Sequence, residues 1–180
     1  MALSTDQRGI VRAAAAALFL AALVLAALRL WLPGSIVGVK GDPDLAERVA
    51  FALRWDLALF AWLAVCIRAV SSGRFRSPAD IKGSAYGPPS AGLAVKIAVL
   101  QNTLEQTVMA VGAHLALATA LRGGELVIVP ALVFLFLLGR ALFVLGYRRG
   151  APARAFGMAL TAAPTVGAII AAIGLVVAGR

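Results

Sequence analysis

Five polar side chains interrupt the apolar sequence of this chain at spacings that could build one binding site. Asn102 and Glu105 are three residues apart, so they share one face of a helix. Arg140 and Tyr147 are seven residues apart and share another helical face, and Arg154 follows after seven more residues. Ionisable groups inside a membrane are costly unless something pairs with them, and they mark functional sites by default. These five residues together therefore predict a functional site.

Arg154 follows a break in the helical pattern. Gly150 and Pro152 interrupt the segment that carries Tyr147, and proline suits the first turn of the next helix. Arg154 would then lie at a helix N-terminus, where backbone N–H groups and the helix dipole favour an anion. This position predicts an anion-binding role.

Several of these residues also have a purely structural interpretation. Glu105 and Arg140 could form a buried ion pair that only fixes the packing of two antiparallel helices. Tyr147 could be an aromatic residue of the membrane interface, and Arg148 and Arg149 are typical basic anchors beside a membrane. Five polar residues at one depth nevertheless favour a ligand site over packing alone.

The composition indicates an integral membrane protein. Hydrophobic residues form 62% of the 180 residues, against about 45–50% in an ordinary soluble domain. The net charge of +9 comes from basic residues placed between apolar runs, so it indicates membrane topology and no nucleic-acid partner. A single cysteine, Cys66, and a single histidine, His114, exclude an intramolecular disulfide and show no metal-ligand spacing.

Five apolar segments are long enough to cross a bilayer, which takes about 20 residues. They are residues 10–32, 48–70, 93–121, 125–147 and 155–178. The first segment could be a cleaved signal peptide. However, its apolar run is longer than the about 7–15 residues of a signal peptide, so we expect a retained helix.

Basic residues in the loops predict the orientation. Most of them lie in the N-terminus, the 71–92 loop and the 147–154 turn: Arg8, Arg12, Arg74, Arg76, Lys82, Arg148, Arg149 and Arg154. The 33–47 loop opposes Lys40 with three acidic residues, and the 122–125 turn balances Arg122 with Glu125. The positive-inside rule then predicts a multi-pass protein of the inner or plasma membrane, with a cytoplasmic N-terminus and an extracytoplasmic C-terminus.

The same topology brings the five polar residues to one depth. Counting about 20 residues from the outer end of the third segment places Asn102 and Glu105 at its cytoplasmic edge. The fourth segment runs the other way, which places Arg140 just inside that boundary and Tyr147 on it. Arg154 begins the fifth segment on the same side.

The motifs "NTLEQ" (102–106) and "GRALFVLGYRRGAPARAFG" (139–157) resemble the MAPEG family, the membrane-associated proteins of eicosanoid and glutathione metabolism. The resemblance is to a divergent, bacterial-type member and covers roughly residues 50–178. It implies an all-α, integral membrane helical bundle: a four-helix domain over residues 47–180, preceded by an extra transmembrane helix and an extracytoplasmic loop over residues 1–46. It also implies a homotrimer with a cytoplasm-facing site between protomers.

The resemblance further implies a glutathione-dependent transferase or peroxidase that acts on lipophilic electrophiles from the bilayer. Glutathione would be the co-substrate, with Arg154 as the catalytic residue that stabilises its thiolate. Arg140 and Glu105 would bind the charged ends of the tripeptide, and Asn102 and Tyr147 would orient it.

Three positions depart from the family pattern. Ala98 stands where family enzymes usually have an arginine, Gln106 where a tyrosine is frequent, and Phe143 where some members have a tyrosine. The missing arginine at position 98 favours an alternative, a non-catalytic MAPEG-fold membrane protein that binds lipid or a protein partner.

Asp56 is a further charge within an apolar segment. Arg29 would lie at similar depth across the 33–47 loop, so we expect an Arg29–Asp56 pair that fixes the extra helix to the bundle. His114 lies nine residues past Glu105 on the opposite helical face, where we expect packing or a helix–helix hydrogen bond.

Overall fold

The computed structural model describes residues 3–39 and 41–180 and, within them, contains helices and no strands. The five α-helices are α1 (Thr5–Trp31), α2 (Leu45–Phe75), α3 (Ala91–Ala120), α4 (Ile128–Tyr147) and α5 (Ala151–Val177). Two short 3₁₀ helices, Gly34–Val37 and Gly123–Val127, lie in the α1–α2 and α3–α4 connections. The all-α class predicted from the sequence is confirmed. Lys40, which entered the loop-charge count, lies outside the described residues.

Local sequence signals explain where three helices begin. Ser4 and Gln7 form a capping box at the start of α1, and Asp44 and Glu47 form another at the start of α2. Gly150 precedes α5 with a φ of +101°, a conformation that side-chain-bearing residues rarely adopt. The structure therefore has a helix break before Arg154, as the sequence predicted.

Contacts between helix ends define the two ends of the bundle. The start of α1 contacts the start of α5: a Cβ added to Gly9 would lie 3.1 Å from Pro152 Cβ. The Arg48 side chain at the start of α2 donates to the Leu121 carbonyl oxygen, just past α3. We call the end with the 76–90 loop and the α4–α5 turn the loop end, and the other the hairpin end.

Helices α4 and α5 make the closest contact in the bundle. Three glycines permit it: a Cβ on Gly139, Gly146 or Gly157 would overlap backbone atoms of the facing helix. Small residues let membrane helices approach in this way. The contact fixes α4 against α5 around Arg140 and Arg154.

Among the described residues, four helices are long and apolar enough to cross a membrane: α1, α2, α4 with its preceding 3₁₀ helix, and α5. Helix α3 has comparable length, at 30 residues, but the polar group Gln101, Asn102, Glu105 and Gln106 lies within it. It packs mainly against α2 and α5. The sequence thus predicts five apolar segments long enough to cross a membrane, whereas the structure has four such helices. Helix α3 is the exception, because it combines bundle packing with a polar site.

The expected Arg29–Asp56 pair is wrong. Asp56 is fully buried and its Oδ1 lies 2.6 Å from His114 Nδ1, so the carboxylate joins α2 to α3. Arg29 is exposed on α1, which packs mainly on α5 through Ala17 and Ala21 rather than on α2. The hydrogen bond expected for His114 is confirmed.

The loop between α2 and α3 is closed by Asp80. Its carboxylate oxygens accept the Ser90 backbone N–H at 2.8 Å and the Ser90 hydroxyl at 2.7 Å. These bonds, first the one from the Ser90 backbone, hold the pKa of the Asp80 carboxyl below its usual value. The buried carboxylate thereby fixes the chain at the entry to α3.

We expect the loop closure to depend on ionised Asp80. Because the folded-state pKa is depressed, the stabilisation is fully present above the unfolded pKa of about 4 and is lost as pH falls further, through the lower folded-state pKa. Hydrogen exchange of the Ser90 amide, corrected for its intrinsic rate, should show protection at pH 7 and loss below about pH 4. Asp80→Ala should lose that protection at every pH, whereas the exposed Asp42→Ala should not. Equal protection in wild type and Asp80→Ala would contradict this role.

Candidate functional site

Arg140 is the centre of the polar cluster. Although its side chain is charged and lies in a transmembrane helix, it is 0% exposed. Its Nη1 donates to Asn102 Oδ1 at 2.7 Å, its Nε donates to Thr161 Oγ1 at 3.1 Å, and its Nη2 lies 3.5 Å from Met158 Sδ. The guanidinium thereby joins α3, α4 and α5 in the half of the bundle next to the loop end.

Aromatic rings complete the surroundings of this guanidinium. The Phe143 ring lies on the same helix, with its centroid 4.5 Å from Arg140 Cζ. A cation over a ring face gains electrostatic energy that grows as water is excluded. Phe143 thus contributes to the site through its ring, although the sequence marked it only as a position without a hydroxyl.

Tyr147 connects the two arginines. Its ring meets Phe143 edge-on, with centroids 5.3 Å apart, and Arg154 Cζ lies 4.7 Å from the Tyr147 centroid. Both Tyr147 and Arg154 are half-buried. Arg140, Phe143, Tyr147 and Arg154 therefore form one continuous row along the contact between α4 and α5.

Glu105 does not belong to this row. It lies on an exposed face of α3, where its carboxylate accepts from Gln101 Nε2 at 2.9 Å. Side chains three positions apart on a helix point about 60° apart around its axis. Asn102 can therefore face α4 while Glu105 faces outward. The suggested Glu105–Arg140 ion pair is therefore wrong within the protomer, and Arg140 is held by neutral acceptors.

The structure thus brings together four of the five predicted residues: Asn102, Arg140, Tyr147 and Arg154. Within residues 3–39 and 41–180, no carboxylate forms an ion pair with either arginine. The row therefore carries two positive charges around one phenol, and this arrangement favours an anionic ligand. Arg154 stands at its accessible end, in the first turns of α5.

Two residues of the cluster were missed from the sequence. Thr161 accepts from Arg140 and itself donates to the Gly157 carbonyl oxygen at 3.0 Å. Met158 contacts the same guanidinium through its sulfur. Thr161 could have been identified, because it is a polar residue in an apolar segment and lies seven residues after Arg154, on the same helical face. No pattern in the sequence distinguishes Met158 from a packing residue.

Glu105 is surrounded by exposed apolar side chains on α3. Leu104 is 43% exposed, Val108 65% and Met109 46%. An apolar groove of about 410 Å³ between α3 and α5 continues this face toward the hairpin end. The carboxylate therefore lies on an apolar surface that lipid or a second protein must cover.

Comparison with known proteins identifies one family. The model of the MAPEG family matches residues 49–174, a range that contains all five predicted residues and excludes α1. No curated protein and no solved structure matches the chain.

Proposed function

The chain belongs to the MAPEG family, and on that premise we propose that it is a membrane-embedded transferase or peroxidase that uses glutathione against lipophilic electrophiles. It is an integral membrane protein. We further propose that the loop end faces the cytoplasm, because most basic loop residues lie there and basic loops remain inside.

The observation that carries the proposal is the row of Arg140, Tyr147 and Arg154. Arg140 is occupied by Asn102 and Thr161, so its role is to hold Asn102 and to supply positive potential. Among the residues that the structure describes, the Arg154 guanidinium lies over the Tyr147 ring and donates no side-chain hydrogen bond, which leaves its N–H donors for a ligand. A thiol brought against Arg154 would be favoured as thiolate, since a nearby cation stabilises the charged form.

In the proposed reaction the thiolate sulfur of glutathione forms a bond to an electrophilic carbon. The electron pair of the broken bond moves to the leaving atom, which takes a proton from water or remains an anion. Tyr147 and Asn102 orient the tripeptide, and the apolar surfaces of the transmembrane helices admit the lipophilic partner from the bilayer. Arg154 acts on the sulfur throughout.

We propose that three copies assemble and cover the exposed face of α3. A carboxylate on an apolar surface needs a partner, and in the assembly Glu105 would meet the positively charged amino group of glutathione. Native mass spectrometry from mild detergent should then give a trimer. A protein that stays monomeric in the same detergent would contradict the shared site.

Glu105→Gln should test the carboxylate without disturbing the fold. Glutamine has the shape of glutamate and can still accept from Gln101, so we expect little change in melting temperature. A charge-assisted hydrogen bond contributes about 1.5–3 kcal/mol, so the dissociation constant for glutathione should rise about 10-fold or more. Calorimetry on the detergent-purified protein measures it.

The matched control is Gln101→Ala, which removes only the residue that donates to Glu105. We expect it to change glutathione affinity by less than about threefold, because the carboxylate remains. An unchanged affinity in Glu105→Gln would show that Glu105 does not contact glutathione.

Ala98 supports a second candidate function. It lies on α3 one turn before Asn102, where family enzymes usually have an arginine, and its methyl group cannot bind a carboxylate. A MAPEG-fold protein without catalysis, which binds lipid or a protein partner, would tolerate this change. Failure of glutathione to bind the trimeric wild-type protein would favour this alternative.

A further inference from the structure

A second groove near the loop end lies between α2, α3 and α4 and has a volume of about 360 Å³. We call it the α2–α3–α4 groove; its walls include Trp62 and Val65 from α2, Lys96 and Val99 from α3, and Val144 and Arg148 from α4 and its end. None of Asn102, Glu105, Arg140, Tyr147 or Arg154 lines it. It is thus a different surface from the proposed glutathione site.

The groove is polar at one end and apolar along the rest. Both of its charged residues, Lys96 and Arg148, are cations and lie toward the loop end, in the second turn of α3 and just after α4. On α2 the lining extends from Ala69 to Trp62, seven residues or about 10 Å deeper into the bundle. The side chains along that depth are mostly valine and alanine, with Cys66 and the indole.

The position of Lys96 is defined by its neighbour on α2. Its Nζ lies 3.2 Å from where a Cβ on Gly73 would stand, so the missing side chain makes room for the ammonium group across the last turns of α2. Arg148 remains exposed on the α4 side. The two cations therefore come from different walls of the groove, Lys96 from α3 and Arg148 from the end of α4.

The deeper walls are open to the bilayer. Val65 is 62% exposed and Val144 is 39% exposed, so an apolar chain can enter sideways from the membrane. A hydrophilic tripeptide would leave its amides unpaired against these valines, and an unpaired buried amide costs free energy. The groove therefore suits a ligand with an anionic head and an apolar tail.

We propose that the α2–α3–α4 groove binds one anionic phospholipid, with its phosphate between Lys96 and Arg148 and one acyl chain along Val65, Val99 and Val144. Charge complementarity selects the occupant. Basic pockets between transmembrane helices bind anionic head groups, and a Lys or Arg near the surface favours an anionic lipid by roughly fivefold per charge.

Trp62 provides a direct reporter for this lipid. The chain has three tryptophans, so Trp31→Phe and Trp55→Phe together leave Trp62 at the deep end of the groove as the only one. The protein is reconstituted in phosphatidylcholine vesicles containing increasing fractions of lipid brominated on its acyl chain. Bromine quenches tryptophan only at close range, so quenching reports lipid in the groove.

We expect brominated phosphatidylglycerol to quench Trp62 at a mole fraction at least about fivefold lower than brominated phosphatidylcholine. Lys96→Gln and Arg148→Gln should each weaken this preference by about fivefold. Arg149→Gln is the matched control: it removes an adjacent exposed charge that does not line the groove, and it should leave the preference unchanged.

Three outcomes would overturn the proposal. Identical quenching curves for the two lipids would show that the groove does not select charge. An equal loss in Arg149→Gln and Arg148→Gln would assign any preference to general surface charge. Absence of quenching by both lipids would show that another part of the protein, or a second copy, covers the groove. Each result is independent of whether the protein binds glutathione.

Discussion

Gly157→Ala should separate α4 from α5 and destabilise the protein by about 3 kcal/mol or more. A Cβ at this position would overlap the Phe143 backbone nitrogen and lie 2.6 Å from the Gly139 carbonyl oxygen. These are backbone atoms of the facing helix, so no side-chain rotation can relieve the overlap. The helices would have to move apart along the contact that holds Arg140 to Thr161.

Gly167→Ala is the matched control on the same helix. A Cβ there would meet nothing within 4 Å, and alanine favours the helical state over glycine by up to about 1 kcal/mol. We expect the melting temperature of Gly167→Ala, measured by circular dichroism in one detergent, to equal or exceed that of wild type. Equal melting temperatures for Gly157→Ala and Gly167→Ala would show that α4 and α5 do not pack this closely.

Arg154→Ala should have the largest effect on the proposed chemistry. A free thiol has a pKa of about 8.5, so only ~3% is thiolate at pH 7. Lowering that pKa by about two units takes roughly 2.7 kcal/mol and makes about three quarters of the bound thiol reactive. A guanidinium in a partly dehydrated site, aided by the N-terminus of α5, can supply this. Turnover at pH 7 should therefore fall at least about 20-fold in Arg154→Ala.

The pH profile separates this effect from a loss of packing. The acidic limb of the wild-type rate should lie near pH 6.5 and move toward about 8.5 in Arg154→Ala, because the thiol returns to its ordinary pKa. Arg154→Lys retains the charge but not the planar fork, so it should keep partial activity. Arg149→Ala, which removes an exposed arginine outside the row, should behave as wild type. A profile unchanged in Arg154→Ala would exclude thiolate stabilisation by this residue.

The sequence predicted the helices well because their signals are local. Apolar length and the Gly150 break each depend on a few neighbouring residues, and the structure has helices over the five apolar segments with a helix start after Gly150. Loop charge and span length also predicted that Asn102, Arg140, Tyr147 and Arg154 converge, since these follow from counting residues along antiparallel helices.

The sequence could not fix how the helices are rotated and which of them are neighbours. Asn102 and Glu105 share a face in projection, yet only Asn102 turns toward Arg140, because the packing of α3 against α2 and α5 sets its rotation. Asp56 faces His114 rather than Arg29 for a similar reason: α1 packs on α5 and does not bring Arg29 to α2. The depth of a residue in the membrane could be counted from the sequence, whereas the direction in which its side chain points around the helix axis could not.

Titration of the wild-type protein with glutathione at neutral pH, followed by ultraviolet thiolate absorbance, tests the central claim most directly. We predict a thiolate signal that saturates with binding, persists down to about pH 6.5 and disappears in Arg154→Ala. Glutathione that binds by calorimetry without any thiolate signal, or that does not bind at all, would contradict the account of Arg154 as the residue that activates the thiol.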